Sequence, residues 1–325
     1  MKLNRIMGLT PSKECESIAT GFHNLDHITG GLRIGQLCTI AARPGMGKTE
    51  FAVSLLRNIG VVQKVPTAYL SLELNELEIA RRLRASITGG WTPMPYEEIR
   101  PHTDFLQDHE NAKRLMDFIK EMDRLGFHLK RSQNAEQAGV QNVEQDAMQM
   151  MKEAPVWIEH DSGVSMNEIV SRMERLHQEN QVRVVMVDSL HWMKSPDNYV
   201  EQSQALMKLR QAAERLKMTV ILTSGLARSV EARGGIKRPQ LGDLNGWSQL
   251  DAFSSMVMFI YRPEYYRLET FEDGSPSENM ADIMVVKNSF GHTGIVRMYF
   301  YNQASFGEIS YEDDGELYQE GNRPF

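Results

Sequence analysis

The sequence predicts an α/β domain: a mostly parallel twisted sheet with helices on both faces and an antiparallel hairpin at a C-terminal edge. Three observations predict it. Short, β-branched apolar runs recur along the chain, and stretches of helical periodicity lie between several of them. A glycine-bearing loop also joins an early apolar run, Leu37–Ala41, to the helix-like stretch Glu50–Leu56, which is the strand–loop–helix order of a phosphate-binding turn.

The elements follow in order. Residues 1–16 carry no strong periodicity and read as a leader, with the domain itself spanning 17–325. Thr20–Asp26 and Gly30–Leu32 read as a helix and turn that lead into the first strand. After the loop, strands are expected at Thr67–Leu72, Val156–Glu159, Arg183–Asp188, Thr219–Ser224, Met256–Tyr261, Asp282–Lys287 and Val296–Tyr301. Helices are expected at Glu76–Ser86, Met166–Glu179 and Gln202–Lys217. The last of these sets Ala205, Leu206, Leu209, Ala213 and Leu216 on one face. Asn288–Gly294 turns the final two strands into the edge hairpin. Residues 91–152 interrupt this alternation as a helical insertion. Asn111–Leu125 and Gln141–Lys152 have helical spacing, and the polar Lys130–Gly139 reads as a loop between them.

Composition sets the class. At 325 residues, 41% hydrophobic and 24% charged, the chain has the make-up of a globular protein. It has no apolar run long enough to span a membrane and no signal-peptide core. Two cysteines, Cys15 and Cys38, build no disulfide framework, so the expected compartment is the cytoplasm. The net charge of −7 excludes a globally attractive field for nucleic acid, so any such contact needs a local basic patch.

The chemistry concentrates in Ala42-Arg43-Pro44-Gly45-Met46-Gly47-Lys48-Thr49, with Glu50 following. Gly45 and Gly47 let the backbone curl so that N–H groups point inward at phosphate oxygens, and the next helix begins there with its positive end toward the anion. Lys48 is expected to reach the β- and γ-phosphates and Thr49 to hold Mg²⁺. The run Val184–Asp188 ends an apolar strand in a carboxylate, which marks Asp188 for the metal. Leu70-Ser71-Leu72-Glu73 ends another strand the same way. The carboxyl ends of parallel strands converge on a ligand crevice, so Glu73 is the expected base for water. Loop Arg228–Arg238 carries Arg228, Arg233, Lys237 and Arg238 around Gly234-Gly235, a pattern suited to a single-strand phosphate backbone.

The chain resembles the RecA-like motor domain of DnaB-type replicative helicases. The resemblance rests on Thr20-Gly21-Phe22 with Leu25-Asp26, Thr29–Leu32, Ala41–Thr49, Ser71-Leu72-Glu73 and Val187-Asp188. It continues through Arg228–Glu231, Asp243-Leu244 and Tyr261–Tyr266, in the family's order, over roughly 18–306. It implies a RecA-like P-loop NTPase fold, ATP with Mg²⁺, and single-stranded DNA as partner. It also implies a homo-oligomer, hexameric in the family, and lets His191 serve as a sensor where the family has Gln. Arg43, Pro44 and Met46 join the nucleotide loop by the same likeness.

The departures shape an alternative. The family's Ser-Gln-Leu-Asn-Arg is Ser224-Gly225-Leu226-Ala227-Arg228 here, and Phe253 and Ser255 stand where it tends to have Asp. Ser289 stands where it has an arginine that reaches a neighbour's γ-phosphate, a contact worth about 10³–10⁵ in rate. Lys287 remains nearby as a partial substitute without the planar fork. The alternative is an ATP-gated accessory, loader or inhibitor that packs on a replicative helicase subunit; a signalling or recombination ATPase is a third reading. The family's N-terminal helical domain is expected to be absent.

Overall fold

The structure is a computed structural model that describes residues 16–88, 138–301 and 305–308, apart from positions 197, 234, 246 and 248. A small entry ribbon pairs β1 (Ser17–Ile18) antiparallel with β2 (Leu32–Arg33) around helix α1 (His23–Thr29). The chain then enters the main sheet through β3 (Leu37–Ala42), turns, and leaves on α2 (Lys48–Leu56). β4 (Thr67–Ser71), α3 (Glu76–Ile87), α4 (Ala138–Glu153), β5 (Val156–His160), α5 (Met166–Asn180) and β6 (Val184–Asp188) follow. Next come α6 (Tyr199–Leu216), β7 (Thr219–Leu226), the two-residue β8 (Leu244–Asn245), α7 (Leu250–Phe253) and β9 (Met256–Tyr261). The chain closes through β10 (Met280–Asn288), β11 (Gly294–Tyr301) and β12 (Ser305–Glu308).

The sheet runs β12-β11-β10-β9-β3-β7-β6-β4-β5. The six strands from β9 to β5 are parallel. From β9 through β10 and β11 to β12 the pairing is antiparallel, and β8 adds antiparallel to β7. Strand placement follows the expectations closely, with one correction at the edge. The expected terminal hairpin is β10–β11, but β12 covers it and the antiparallel part holds more than a hairpin. Ser305-Phe306-Gly307-Glu308 is too short and too mixed in character to read as a strand by pattern.

Side-chain alternation builds a core on each face. Cys38, Ile40 and Ala42 of β3, Tyr69 of β4 and Val184 and Met186 of β6 point toward α2 and α3. Ala68 and Leu70, Val185 and Val187, and Val220 and Leu222 pack against α5 and α6 on the other side. Local signals set the helix ends. Ser165 and Glu168 form a reciprocal capping box on α5, and the Asn75 and Asn198 side chains accept from the backbone N–H groups of Glu78 and Glu201 at the starts of α3 and α6. The Asn198 cap explains why α6 begins three residues before the expected Gln202.

Of the insertion at 91–152, only its end lies within the described residues. There α4 covers the expected Gln141–Lys152 and begins at Ala138, so the last two residues of the expected loop are helical. Asn111–Leu125 lies outside the described residues, as do the leader through Cys15 and Gly234. Cys38 is buried, and burial pushes its thiol up to about 12, which leaves it an inert core residue. No helix among the described residues is long and apolar enough to cross a membrane.

Candidate active site

The turn after β3 is shaped by its glycines. Gly45 and Gly47 have φ of 77° and 92°, in the left-handed region that side chains disfavour. Space is equally restrictive. A Cβ on Gly45 would lie 2.8 Å from the Tyr265 ring, and one on Gly47 would lie 3.0 Å from Phe306. The backbone therefore passes close against an aromatic ring at each of these two glycines.

This turn forms one wall of a cavity of about 620 Å³. Of the expected nucleotide residues, Arg43, Pro44, Gly45, Gly47, Lys48, Thr49 and Glu50 line it, while Met46 is buried beneath the loop. Glu73 and His191 line it from the ends of neighbouring strands. Lys48 makes no ion pair or hydrogen bond among the described residues, which leaves its ammonium to the cavity. Glu50 is tied to Arg82 of α3 at 2.5 Å; burial raises its carboxyl pKa against the pull of that guanidinium.

Asp188 does not itself line the cavity; it is 2% exposed and sits behind the lining residue Thr49. Three hydroxyls hold it: Thr49 donates to Oδ2 at 2.9 Å, Tyr69 to Oδ2 at 2.7 Å, and Thr223 to Oδ1 at 2.5 Å. Burial first, and then the Asp188 charge, holds the Tyr69 phenol protonated far above its usual range. Strand parity explains the meeting. Ser71 of β4 and Asp188 of β6 are register partners, and Tyr69 sits two residues before Ser71 on the same face.

Sequence reasoning missed Tyr69 and Thr223. A signal existed, because each is a polar group in an otherwise apolar buried strand and therefore needs a partner. It also missed Arg262 and Phe300. The Arg262 guanidinium lies 4.3 Å from the Phe300 ring centroid and donates to the Gly45 carbonyl at 3.3 Å, and both residues line the cavity.

Lys287 is not brought to this cavity. It pairs across from Val257, near the start of β9, and its Nζ donates to the Asp251 carbonyl at 2.5 Å. The loop lies at the other end of the parallel strands, so Lys287 and Ser289 face away from their own chain's cavity.

The expected DNA-binding cations separate into two kinds. Arg233 makes a bidentate pair with Asp243, with Nη1 at 2.9 Å from Oδ2. Arg238 pairs with Asp282 at 3.1 Å and with Glu272 at 3.0 Å. Those two guanidinia hold the loop to its own protein, and a loop of four open cations is not what the structure contains. Arg228 lines the cavity and forms no ion pair among the described residues, and the Lys237 ammonium lies 5.1 Å from the Tyr266 ring centroid. Arg43 bridges cavity and loop. Its Nη1 donates to the Leu226 carbonyl at 2.7 Å, and its Nε and Nη2 lie 3.0 Å from Glu231. Those bonds, chiefly the direct one from Arg43, lower the Glu231 carboxyl pKa.

Comparison with known proteins gives a consistent result. The family described as DnaB-like helicase C terminal domain matches residues 17–141 and 106–308. The replicative DNA helicase DnaB of Buchnera aphidicola subsp. Acyrthosiphon pisum is 30% identical over 90% of this chain and 56% of its own. The DnaB of Haemophilus influenzae is 29% identical over 89% of this chain and 54% of its own. The chain thus spans somewhat more than half the length of the curated relatives it matches. Among solved structures, one described as an ATPase domain is 25% identical with a TM-score of 0.69, over 94% of this chain and 95% of that one. A DnaB-like replicative helicase, solved in a study of its interactions with primase, has the same identity and TM-score over 92% of this chain and 64% of its own.

Proposed function

The chain belongs to the DnaB-like helicase C-terminal domain family, and from that premise we propose that it is an ATP-hydrolysing motor that acts on single-stranded DNA in replication. The observation that carries the reading is the contact between Thr49, which lines the cavity, and Asp188 behind it, next to a loop bent by Gly45 and Gly47. Those residues fit a nucleotide with Mg²⁺. The turn's positive-φ glycines aim backbone N–H groups at an anion, and Lys48 adds an uncancelled charge. No cluster of three metal-ligating side chains occurs among the described residues. Mg²⁺ is usually held by phosphates, water and one or two protein oxygens, and Thr49 and Asp188 would supply those oxygens.

Bound Mg²⁺ would neutralise charge that develops on the phosphates as the terminal phosphoryl group transfers to water. The protein's own groups do the rest. Glu73 accepts the proton of the attacking water, Lys48 offsets phosphate charge, and His191 donates a hydrogen bond from the rim. Arg262 and Phe300 offer a stacking shelf for the base. Lys287 acts only if a second copy presents its cavity to that end of the sheet, as in a ring. Arg228 and Lys237 are the cations left for a DNA strand, while Arg233 and Arg238 keep the loop in shape.

Phosphate release from Mg·ATP, with and without single-stranded DNA, tests the reading beside Lys48→Ala. Turnover stimulated by DNA and lost in the variant is expected. Nucleotide binding without turnover by the wild-type chain would sink the motor reading.

A further inference from the structure

We propose that Tyr69 is a positioning residue for the metal site: its phenol fixes the Asp188 carboxylate in the orientation that Mg²⁺ binding requires. The inference rests on the nucleotide-site reading above and extends it to a residue outside the phosphate loop.

Asp188 is a buried carboxylate with no cation bonded to it among the described residues. Among the described residues its carboxylate is held by three hydroxyls, two on Oδ2 and one on Oδ1. A carboxylate accepts at about four lone-pair sites, so this arrangement leaves a site open while the charge remains supported. The three hydroxyls differ in what else they can do. Thr49 has two tasks, because an oxygen lone pair is assigned to the metal while its O–H donates to Asp188. Tyr69 and Thr223 have no such second task. Both anchors are 0% exposed on strands bonded on both edges, and Tyr69 is the one that shares Oδ2 with Thr49, with its ring packed in the core between the sheet and α2. Its hydroxyl has Asp188 as its hydrogen-bond partner at 2.7 Å. Hydroxyls also hold the carboxylate without cancelling its charge. A guanidinium at the same place would orient Asp188 and at the same time compete with the ion.

Partners that orient a metal ligand are worth about 10–100-fold in metal affinity. The test compares wild type with Tyr69→Phe, which keeps the ring and removes only the donor. Mn²⁺ is the probe, titrated by electron paramagnetic resonance in the presence of ADP. The affinity of a fluorescent ADP analogue in EDTA is the metal-free control. Tyr69→Phe should weaken Mn²⁺ by about 10-fold or more and leave metal-free nucleotide affinity unchanged. In turnover, the half-saturating Mg²⁺ concentration should rise while kcat at saturating Mg²⁺ recovers. Unchanged Mn²⁺ affinity overturns the proposal, and so does an equal loss of metal-free nucleotide affinity, because the defect is then general. If the wild-type chain binds no nucleotide at all, the nucleotide-site reading itself has failed and this proposal falls with it.

Discussion

The cavity and the loop from Ser229 to Asn245 are both rich in charge, but they differ in which cations they leave open. In the loop, two guanidinia are cancelled at home, Arg233 against Asp243 and Arg238 against Asp282 and Glu272, while Lys237 forms no ion pair among the described residues. Asp282 is fully buried, and burial raises its pKa while Arg297 and Arg238 pull it back. In the cavity, Lys48 and Arg228 line open space with no carboxylate bonded to either among the described residues. The comparison teaches that a run of cations in sequence is not a binding surface until the carboxylates that fold onto it are known. Charges a protein has neutralised hold its shape, and charges it has left open are available to a ligand.

Substitutions can break or sharpen this contrast. The largest effect is expected at the open charge. Lys48→Ala should lower ATP turnover by at least about 10²–10³, measured as phosphate release, with little change in the urea midpoint. The neutralised charge should behave in reverse. Arg233→Ala leaves buried Asp243 without its partner and should cost about 3 kcal/mol in urea unfolding. If that variant kept its stability and lost only DNA affinity, the contrast would be wrong.

Lys237→Ala should weaken single-stranded DNA binding a few-fold and lower the salt slope of log K by about one, with stability unaltered. The smallest effect is at the exposed Asp273. Burial works to raise its carboxyl, but the Ser275 hydroxyl and N–H and the Arg297 guanidinium together hold it at about 2. Because its folded pKa lies below the unfolded value, its contribution is present above about pH 4 and is lost as pH falls toward 2. Asp273→Asn should therefore flatten the acid arm of the stability curve in that window. At neutral pH it should change stability by under about 1 kcal/mol.

Much of the fold was legible because its signals are local. β9 lies at the expected Met256–Tyr261, and β4, β5 and β6 lie within a residue of their expected bounds, because buried parallel strands read as continuous apolar runs. The positions of the loop, Asp188 and Glu73 were legible for a similar reason: each lies at or just past the end of a parallel strand, and such ends converge. What could not be read depends on partners distant in sequence. Asp188 and Tyr69 are 119 residues apart, and Arg238 and Asp282 are 44 apart. The resemblance gave Lys287 a role only toward a neighbouring copy, and its place at the far end of the sheet from its own chain's cavity is set by antiparallel pairing with β9, which no local pattern announces.

The last strand also has a consequence for how the molecule is made. Phe306 packs beneath Gly47 and its N–H donates to Ser54, 252 residues away, while Glu308 accepts from the N–H groups of His23 and Asn24 at the start of α1. At ribosomal speeds, about 10–50 s separate synthesis of the loop from synthesis of the last strand. A nascent chain thus carries the complete phosphate-loop sequence long before it owns a cleft. Quality control during translation has that interval in which to act, while Gly47 still lacks the Phe306 ring it packs against.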